Sequence, residues 1–95
     1  MPKGYCIVRI DIHDPEAYAL YAGEATEAIK KHGGRALARG GAYEAMEGQA
    51  RARNVVVEFD SFEAARAFYL SEEYQRAKKK REHAATVEYV IVEGV

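Results

Sequence analysis

The spacing of apolar residues changes abruptly at Asp14 and Pro15, and this change constrains the fold more than any other feature. From Gly4 to Ile12 apolar residues alternate with others, which is typical of a β-strand. Apolar residues then recur at helical spacing as far as His32, with Asp14 as a favourable N-cap and Pro15 at the first helical position. The chain therefore begins with a strand followed by a helix.

Further changes of spacing predict the rest of the fold. The pattern predicts a strand over Arg35 to Glu47 interrupted by Gly40-Gly41, a strand over Asn54 to Phe59, a helix capped by Asp60-Ser61, a shorter helix from Ser71 to about Glu82, and a strand over Thr86 to Glu93. Right-handed crossovers put both helical segments on one sheet face. We expect one α+β domain over residues 1–95, ferredoxin-like βαββαβ, with a four-stranded antiparallel sheet in the order 4-1-3-2.

Composition excludes several classes of protein. Fourteen Lys and Arg against fifteen Asp and Glu give a net charge of -1, which argues against nucleic acid as a partner. A membrane span needs about 20 apolar residues, and no such stretch is present. A single Cys and the absence of closely spaced His pairs argue against a metal site, and we expect no cofactor. The first residues run directly into a strand, so we expect a cytoplasmic protein.

One face of the predicted sheet has no helix to cover it. Tyr5, Ile7 and Val56 belong to that face, together with charged residues such as Arg9 and Glu58. An apolar patch of this kind on a small protein usually marks an interface. We therefore predict a homodimer formed by sheet-on-sheet contact; the alternative is an open sheet with solvated charges and tolerated apolar residues.

Arg9 and Glu58 are the first candidates for a functional site. They belong to adjacent central strands and share a face, so we expect them side by side beneath the partner sheet. Such a pair can anchor a substrate, with Glu58 moving a proton. It can equally be a structural ion pair that sets the strand register.

Arg39 precedes Gly40-Gly41 and forms the second candidate. Glycines permit close approach of the backbone to a ligand, and a bulge redirects the neighbouring side chain. Arg39 is then able to hold a carboxylate through two parallel hydrogen bonds. The alternative is a bend in the strand that requires glycine.

Tyr18, Tyr21 and His13 complete the candidate residues. Tyr18 and Tyr21 share one helix face and can line a small-molecule cavity between helix and sheet, or simply pack in the core. His13 lies at the junction of the first strand and helix, where it is either a general base or an exposed loop residue.

Several segments together resemble a known bacterial family. They are Gly4-Tyr5, Arg9-Ile10-Asp11, Asp14-Pro15-Glu16-Ala17-Tyr18, Gly33-Gly34-Arg35, Arg39-Gly40-Gly41, Glu47-Gly48, Arg53-Asn54-Val55-Val56-Val57-Glu58-Phe59, Ser61-Phe62-Glu63-Ala64-Ala65, Phe68-Tyr69, Ser71-Glu72-Glu73-Tyr74 and Val90-Ile91-Val92-Glu93-Gly94. The chain resembles domain-of-unknown-function family 1330 of the dimeric α/β-barrel superfamily. The resemblance implies a ferredoxin-like fold and a barrel built from two sheets. Superfamily relatives include cofactor-independent oxygenases, isomerases, haem-degrading enzymes and peroxidases, so fold does not specify function.

Three hypotheses about function follow from these observations. The first is a homodimer that binds a small anionic or aromatic organic molecule beside the sheet. The second is a cofactor-independent isomerase, lyase or oxygenase, in which Arg9 and Arg39 orient a carboxylate while Glu58 or His13 transfers a proton. The third is a non-catalytic assembly module. An enclosed pocket favours the first two, and a fully packed interior with Arg9 paired to Glu58 favours the third.

Overall fold

The computed structural model describes residues 1–95 as four strands and three helices. The elements are β1 (Gly4–Ile12), α1 (Pro15–Lys31), β2 (Arg35–Arg39), β3 (Arg53–Phe59), α2 (Phe62–Leu70), α3 (Glu72–Lys79) and β4 (Ala85–Glu93). The strands form one antiparallel sheet in the order β2-β3-β1-β4. The predicted fold class and strand order are confirmed.

β1 is the central strand on which the core is built. Cys6, Val8 and Ile10 are buried, while the alternate residues Tyr5 and Ile7 are only half-buried. Alternation along a strand sends successive side chains to opposite faces, and the helices cover only the first set. Ile12 continues the facing of Cys6, Val8 and Ile10, but it is 38% exposed because it ends the strand, beyond the main cluster of buried side chains.

α1 begins and ends where the sequence predicts. The Asp14 carboxylate accepts a hydrogen bond from the Ala17 amide (3.2 Å), and Pro15 occupies the first helical position. The buried face of α1 carries Tyr18, Tyr21, Ala25 and Ala28. Gly33, with φ +78°, turns the chain out of the helix toward β2. α1 thus supplies two tyrosines to the layer above the sheet.

β2 is much shorter than predicted. It ends at Arg39, and the segment 40–52 that was expected to continue it to Glu47 has no regular structure. The bulge that the sequence suggested at Gly40-Gly41 lies earlier: Ala36 pairs with Val57 and Ala38 with Val56, so Leu37 is the extra residue. This bulge determines which face the end of β2 presents.

Serine caps define the second helical region. The Ser61 hydroxyl accepts from the Ala64 amide (3.0 Å), so Ser61 rather than Asp60 is the N-cap of α2. Ser71 ends α2 by donating to the Phe68 carbonyl (2.7 Å), and it begins α3 by accepting from the Tyr74 amide (3.2 Å). α3 ends at Lys79, slightly earlier than predicted.

All three helices pack on one face of the sheet, and the molecule is flat. Its principal extents are 36 × 33 × 16 Å, because a single helical layer lies on a single sheet. We call the helix-covered side of the sheet the inner face and the other side the outer face. None of the three helices has the length and apolar character needed to cross a membrane.

Candidate functional site

A cavity lies between α1 and the inner face of the sheet. Its volume is about 50 Å³, and most of the side chains around it are apolar, including Val8, Ala25 and Val55. At roughly 10–15 Å³ for each water, it has room for a few waters or for a compact organic group. Three predicted site residues, Tyr18, Tyr21 and Arg39, line this cavity together. The sequence prediction of a tyrosine-lined space between helix and sheet therefore has a counterpart in the structure.

Arg39 reaches the cavity because of the bulge in β2. In a regular strand, Arg35 and Arg39 would face the same side of the sheet. The extra residue Leu37 shifts this phase, so Arg35 pairs with Glu58 on the outer face while Arg39 pairs with Val55, whose side chain lines the cavity. The bulge at Leu37 thus redirects Arg39, as predicted for a bulge, although it lies before the predicted Gly40-Gly41.

Arg53 is the second guanidinium at the cavity. It is paired with Ile10 in the sheet and faces the same inner side, where its guanidinium carbon lies 5.6 Å from the centre of the Tyr18 ring. Gly40 makes room for it: a Cβ built on Gly40 would lie 2.4 Å from the Arg53 Nη1 atom. Gly40 also has φ +70°, a backbone conformation that glycine adopts without strain.

A cluster of buried hydroxyl groups adjoins these arginines. The Tyr18 and Tyr21 rings are 5.3 Å apart, and the Tyr21 and Tyr74 hydroxyls are hydrogen-bonded at 2.9 Å. Behind them, Arg81 donates from Nη2 to the Tyr74 hydroxyl (3.2 Å), and its guanidinium carbon lies 5.1 Å from the Tyr21 ring centre. Arg81 is only 7% exposed. The site therefore joins tyrosines of α1 and α3 to an arginine that follows α3.

Burial keeps these tyrosines protonated. Desolvation, reinforced by neighbouring tyrosines, raises the pKa of Tyr18 and of Tyr21 above the ordinary value. Desolvation likewise raises the pKa of Tyr74, against the opposing effect of Arg81. Near neutral pH these groups are hydroxyls that donate hydrogen bonds, and they are not bases. The cavity therefore contains donors but no group suited to remove a proton.

The charge around the cavity is uncompensated. None of the residues that line it is acidic. Arg39, Arg53 and Arg81 form no ion pair with any carboxylate within 4.0 Å, although other arginines in the chain do. An arginine remains protonated in proteins, so two positive charges line a small, mostly apolar space and a third lies behind its Tyr21 and Tyr74 walls. Such a space favours an anion over a cation or a neutral polar molecule.

The predicted residue Arg9 lies elsewhere, on the outer face. Its guanidinium approaches Glu88 (3.9 Å) and donates to the Gln49 carbonyl (3.1 Å). Arg51 extends this network by binding Asp11 (2.7 Å) and Glu88 (3.3 Å). Every charge in the cluster has a partner, and the cluster pins the end of the 40–52 segment against β1.

Glu58 does not contact Arg9, which corrects the expectation that they lie side by side. The register pairs Tyr5 with Glu58 and Arg9 with Asn54, so the two charges are separated by about 13 Å along the strands. Glu58 instead binds Arg35 and accepts a hydrogen bond from the Tyr5 hydroxyl (3.3 Å). The Arg35 guanidinium holds the pKa of Glu58 below its ordinary value.

His13 lies at the opposite end of the sheet from Glu58. Eight residues of extended chain separate it from Tyr5, the neighbour of Glu58, which corresponds to about 26 Å. His13 is exposed, and its Nε2 atom lies 2.7 Å from the Thr86 hydroxyl oxygen. Within one protomer, Glu58 and His13 cannot act on the same small substrate, and neither lines the cavity.

The rest of the outer face is apolar. Its side chains lie between the two charged clusters and are half-buried or exposed; they include Ile7, Val56, Val90 and Val92. Val90, in the edge strand β4, is 55% exposed and pairs with Ile7 of the central strand β1. This stripe is the surface for which the sequence predicted a partner.

Sequence reasoning missed Arg53, Arg81 and Tyr74 as members of the site. A signal for Arg53 was present, because it is in phase with Val55 and Val57 and therefore had to share their inner face. Arg81 belongs to a basic run at a helix end, where positive charges usually face water, and the sequence gives no sign of its burial. No group of three or more His, Cys, Asp or Glu side chains is arranged to hold a metal ion.

Solved structures of other proteins have the same fold at low sequence identity. The protein of unknown function RPA0582 from Rhodopseudomonas palustris is 16% identical, with a TM-score of 0.77 over 99% of this chain and 83% of that chain. SnoaB, a cofactor-independent oxygenase from Streptomyces nogalater, is 10% identical, with a TM-score of 0.68 over 97% and 92%. A dimeric ferredoxin-like protein of unknown function from Thermobifida fusca is 13% identical, with a TM-score of 0.56 over 97% and 91%.

The topology and these likenesses define the class: this is a ferredoxin-like α+β protein. Within that class, residues 3–95 match the family described as Domain of unknown function (DUF1330), and the chain belongs to it. The resemblance recognised in the sequence is confirmed. No curated protein matches the chain.

Proposed function

We propose that this protein is a cytoplasmic homodimer in which each protomer binds a small anionic or aromatic organic molecule between α1 and the sheet. The observation that carries the proposal is the cavity itself, where Arg39 and Arg53 meet Tyr18 and Tyr21 without any acidic side chain. Apolar walls with a few convergent polar groups are typical of small-molecule sites. Arg53 is half-buried without an acidic partner, and an interior built only for packing has no need of such a charge, because burying an unpaired charge is costly.

The outer face supports the homodimer. Its apolar stripe, with Ile7 and Val56 at the centre, is flanked by the Arg9–Glu88 and Arg35–Glu58 pairs. Packing two such faces together removes the stripe from water and makes a self-complementary two-fold contact. The likeness to a protein described as dimeric and ferredoxin-like agrees with this arrangement.

A thermal-shift screen tests the binding proposal. The purified protein is heated with small carboxylates and small aromatic compounds, among them acetate, benzoate, salicylate, phenol and benzamide. A ligand at ten times its Kd stabilises a protein by about 1.4 kcal/mol, which raises the Tm of a chain of this size by about 5–10 °C. We expect at least one compound to reach this shift.

Two variants of the same strand provide the matched control. Arg39→Gln removes a cavity charge, whereas Arg35→Gln removes a charge from the outer face. The ligand-induced shift, measured from each variant's own Tm, should shrink in Arg39→Gln and persist in Arg35→Gln. The assembly-module hypothesis gains if no compound shifts the Tm, and equal shifts in both variants move the ligand away from the cavity.

A cofactor-independent isomerase, lyase or oxygenase is the second candidate, and the likeness to SnoaB is the observation that favours it. The predicted catalytic roles of Glu58 and His13 belong to this candidate. Neither residue lines the cavity, and the tyrosines there are protonated, so a substrate bound in it must supply its own acidic proton. Oxygen consumption with a readily ionised phenol or enol, retained in Glu58→Gln and His13→Gln, would support an oxygenase that uses neither residue.

A further inference from the structure

Two buried atoms of the chain lack any hydrogen-bond partner, and both belong to this site. They are the Nε atoms of Arg53 and Arg81. Buried polar atoms are nearly always paired, and those that are not call for a specific explanation. Arg53 lines the cavity, and Arg81 contacts the lining residues Tyr21 and Tyr74 from behind, so both exceptions belong to one site and point to a ligand there.

Arg81 is the more unusual of the two. It is 7% exposed, it has no carboxylate partner, and its one side-chain hydrogen bond goes to the Tyr74 hydroxyl. The Tyr21 ring lies under its guanidinium at 5.1 Å, so Arg81 sits directly behind a side chain that lines the cavity. A buried cation without a counter-ion destabilises a folded protein. An energetic cost of this kind is retained most often where function requires the charge.

The polar groups facing the cavity are arginines and hydroxyls, and they offer more donors than acceptors. Guanidinium groups donate hydrogen bonds and cannot accept them. The Tyr74 hydroxyl accepts from Arg81 and can donate its own proton to Tyr21, which leaves the Tyr18 and Tyr21 protons for a ligand. The Thr26 hydroxyl already donates its proton to the Ala22 carbonyl (2.8 Å) and adds no net negative charge. The group that complements this set must therefore accept several hydrogen bonds and carry negative charge.

The size and the walls of the cavity narrow the chemical class of the ligand further. A volume of about 50 Å³ with mainly apolar lining suits one compact charged head on an apolar body. A phosphate ester has a larger and more strongly hydrated head, and it usually binds backbone amides at a helix N-terminus, which this cavity does not offer. A carboxylate has the planar shape that a guanidinium binds with two parallel hydrogen bonds.

We propose that the cavity selects a monocarboxylate with a compact apolar or aromatic body, whose carboxylate is bound by Arg53 and by the Tyr18 and Tyr21 hydroxyls. Arg81 is a positioning residue: it holds Tyr74, and through it Tyr21, and adds positive charge behind the binding groups. This inference rests on the proposed function and specifies the ligand's charge. Arg39, at the exposed end of β2, then lies at the entrance.

Isothermal titration with paired probes tests the charge requirement. Acetate and benzoate are compared with acetamide and benzamide, which have nearly the same shapes but no charge. We expect each carboxylate to bind at least roughly tenfold more tightly than its amide, since charge-assisted hydrogen bonds are the stronger ones. Inorganic phosphate is titrated as a third probe, and binding tighter than that of benzoate overturns the choice of carboxylate.

Arginine variants test whether Arg53 and Arg81 take part in binding the carboxylate. Arg53→Met and Arg81→Met should each reduce the ratio of carboxylate affinity to amide affinity toward one. Arg76→Met, which removes an exposed charge from α3, should leave this ratio unchanged. The empty protein should melt no lower in Arg53→Met or Arg81→Met than in the wild type, because each change removes an unpartnered buried nitrogen. Should Arg81→Met fail to fold, the Arg53→Met titration still decides the head-group assignment.

The outcomes separate this inference from the proposed function. Equal affinity for carboxylates and amides leaves a small-molecule site but overturns its selectivity for an anion. A lower Tm in Arg81→Met with an unchanged ratio makes Arg81 a structural residue and overturns its positioning role. Absence of any bound compound in the thermal-shift screen removes the proposed function itself.

Discussion

The two faces of the sheet treat charge in opposite ways. On the outer face, every arginine that the strands present is paired: Arg9 with Glu88, and Arg35 with Glu58. On the inner face, Arg39 and Arg53 have no carboxylate partner, although they lie among apolar side chains. Arg53 is half-buried, and leaving such a charge unpaired while pairing charges that water can reach is the reverse of what stability alone favours. The comparison supports structural roles for the outer charges and agrees with the ligand binding that we propose for the inner ones.

The faces also differ in how completely they are covered. Three helices bury Cys6, Val8 and Ile10, which alternate along β1 with the half-buried Tyr5 and Ile7. Both sets are apolar enough to need shelter from water, but only one has it within the protomer. The outer face is therefore the surface that the proposed dimer would cover, and its covering by a second copy is open to direct test.

The largest effect should come from a charge placed at the centre of the outer face. Ile7→Lys puts an unpaired cation into each half of a two-fold contact, which costs several kcal/mol per dimer. Light scattering at about micromolar concentration should then report one chain, against two for the wild type. Leu20→Lys is the control, because Leu20 is an exposed apolar residue on the far side of α1 and should leave the dimer intact. A wild-type protein that is itself monomeric contradicts the prediction.

The next effect compares adjacent valines of β3. Val57 is buried on the inner face, whereas Val56 is on the outer face. Val57→Ala should lower the free energy of unfolding by about 2–3 kcal/mol at any protein concentration, through lost burial and the cavity left behind. Val56→Ala should cost less than about 1 kcal/mol in dilute protein and more as concentration rises. Urea unfolding at two concentrations measures both, and identical behaviour of the two variants would falsify the distinction between the faces.

The sequence predicts which sheet face a strand residue belongs to, but it does not predict the register between strands. The facing of β1 follows from the period of its apolar residues, and its predicted bounds agree with the structure. Register does not follow, because the pairing of two antiparallel strands depends on their connection. Arg9 and Glu58 therefore share the predicted face but lie four residues apart. Two side chains that share a sheet face are in contact only if the strand register also places them opposite each other.

The site itself was accessible only in part. The shared facing of Tyr18 and Tyr21 follows from the helical spacing of α1. The inner-face position of Arg53 could be inferred from its alternation in phase with Val55 along β3. Arg39 depended on the bulge at Leu37, which no residue type announces, since leucine is an ordinary strand residue. The sequence favoured Gly40-Gly41 instead because glycine is the usual mark of a bulge. The glycine turned out to serve a different need, namely space for the Arg53 side chain.

A smaller effect on stability should follow from filling the space between Gly40 and the Arg53 side chain. Gly40→Ala adds a methyl group that meets the Arg53 Nη1 atom and introduces a side chain at φ +70°. We expect a loss of about 1 kcal/mol in stability, together with weaker binding of benzoate as Arg53 is displaced. Gly41→Ala is the matched control, because nothing lies within 4 Å of its added Cβ. Gly41 also lacks a positive φ, so equal losses in the two variants would show that neither the space beside Arg53 nor the φ of Gly40 sets the cost.

The smallest effect concerns pH and compares a carboxylate of the helical layer with one of the outer face. Lys31, with help from the Glu73 backbone amide and His32, lowers the pKa of Glu73 to about 2, and Arg35 lowers the pKa of Glu58. A carboxylate with a depressed folded-state pKa stabilises the protein above its unfolded value, about 4.3, and this contribution is lost as pH falls toward the folded value.

Glu73→Gln should therefore flatten the fall in urea midpoint between about pH 5 and about pH 2, while leaving the midpoint below about pH 2 nearly unchanged. Glu58→Gln should flatten it in the same direction, and Glu72→Gln, an exposed neighbour without an ion pair, should not. Both groups are accessible to solvent, so salt should weaken both effects. If Glu72→Gln flattens the curve as much as Glu73→Gln does, general charge repulsion and not these particular pairs governs the acid response.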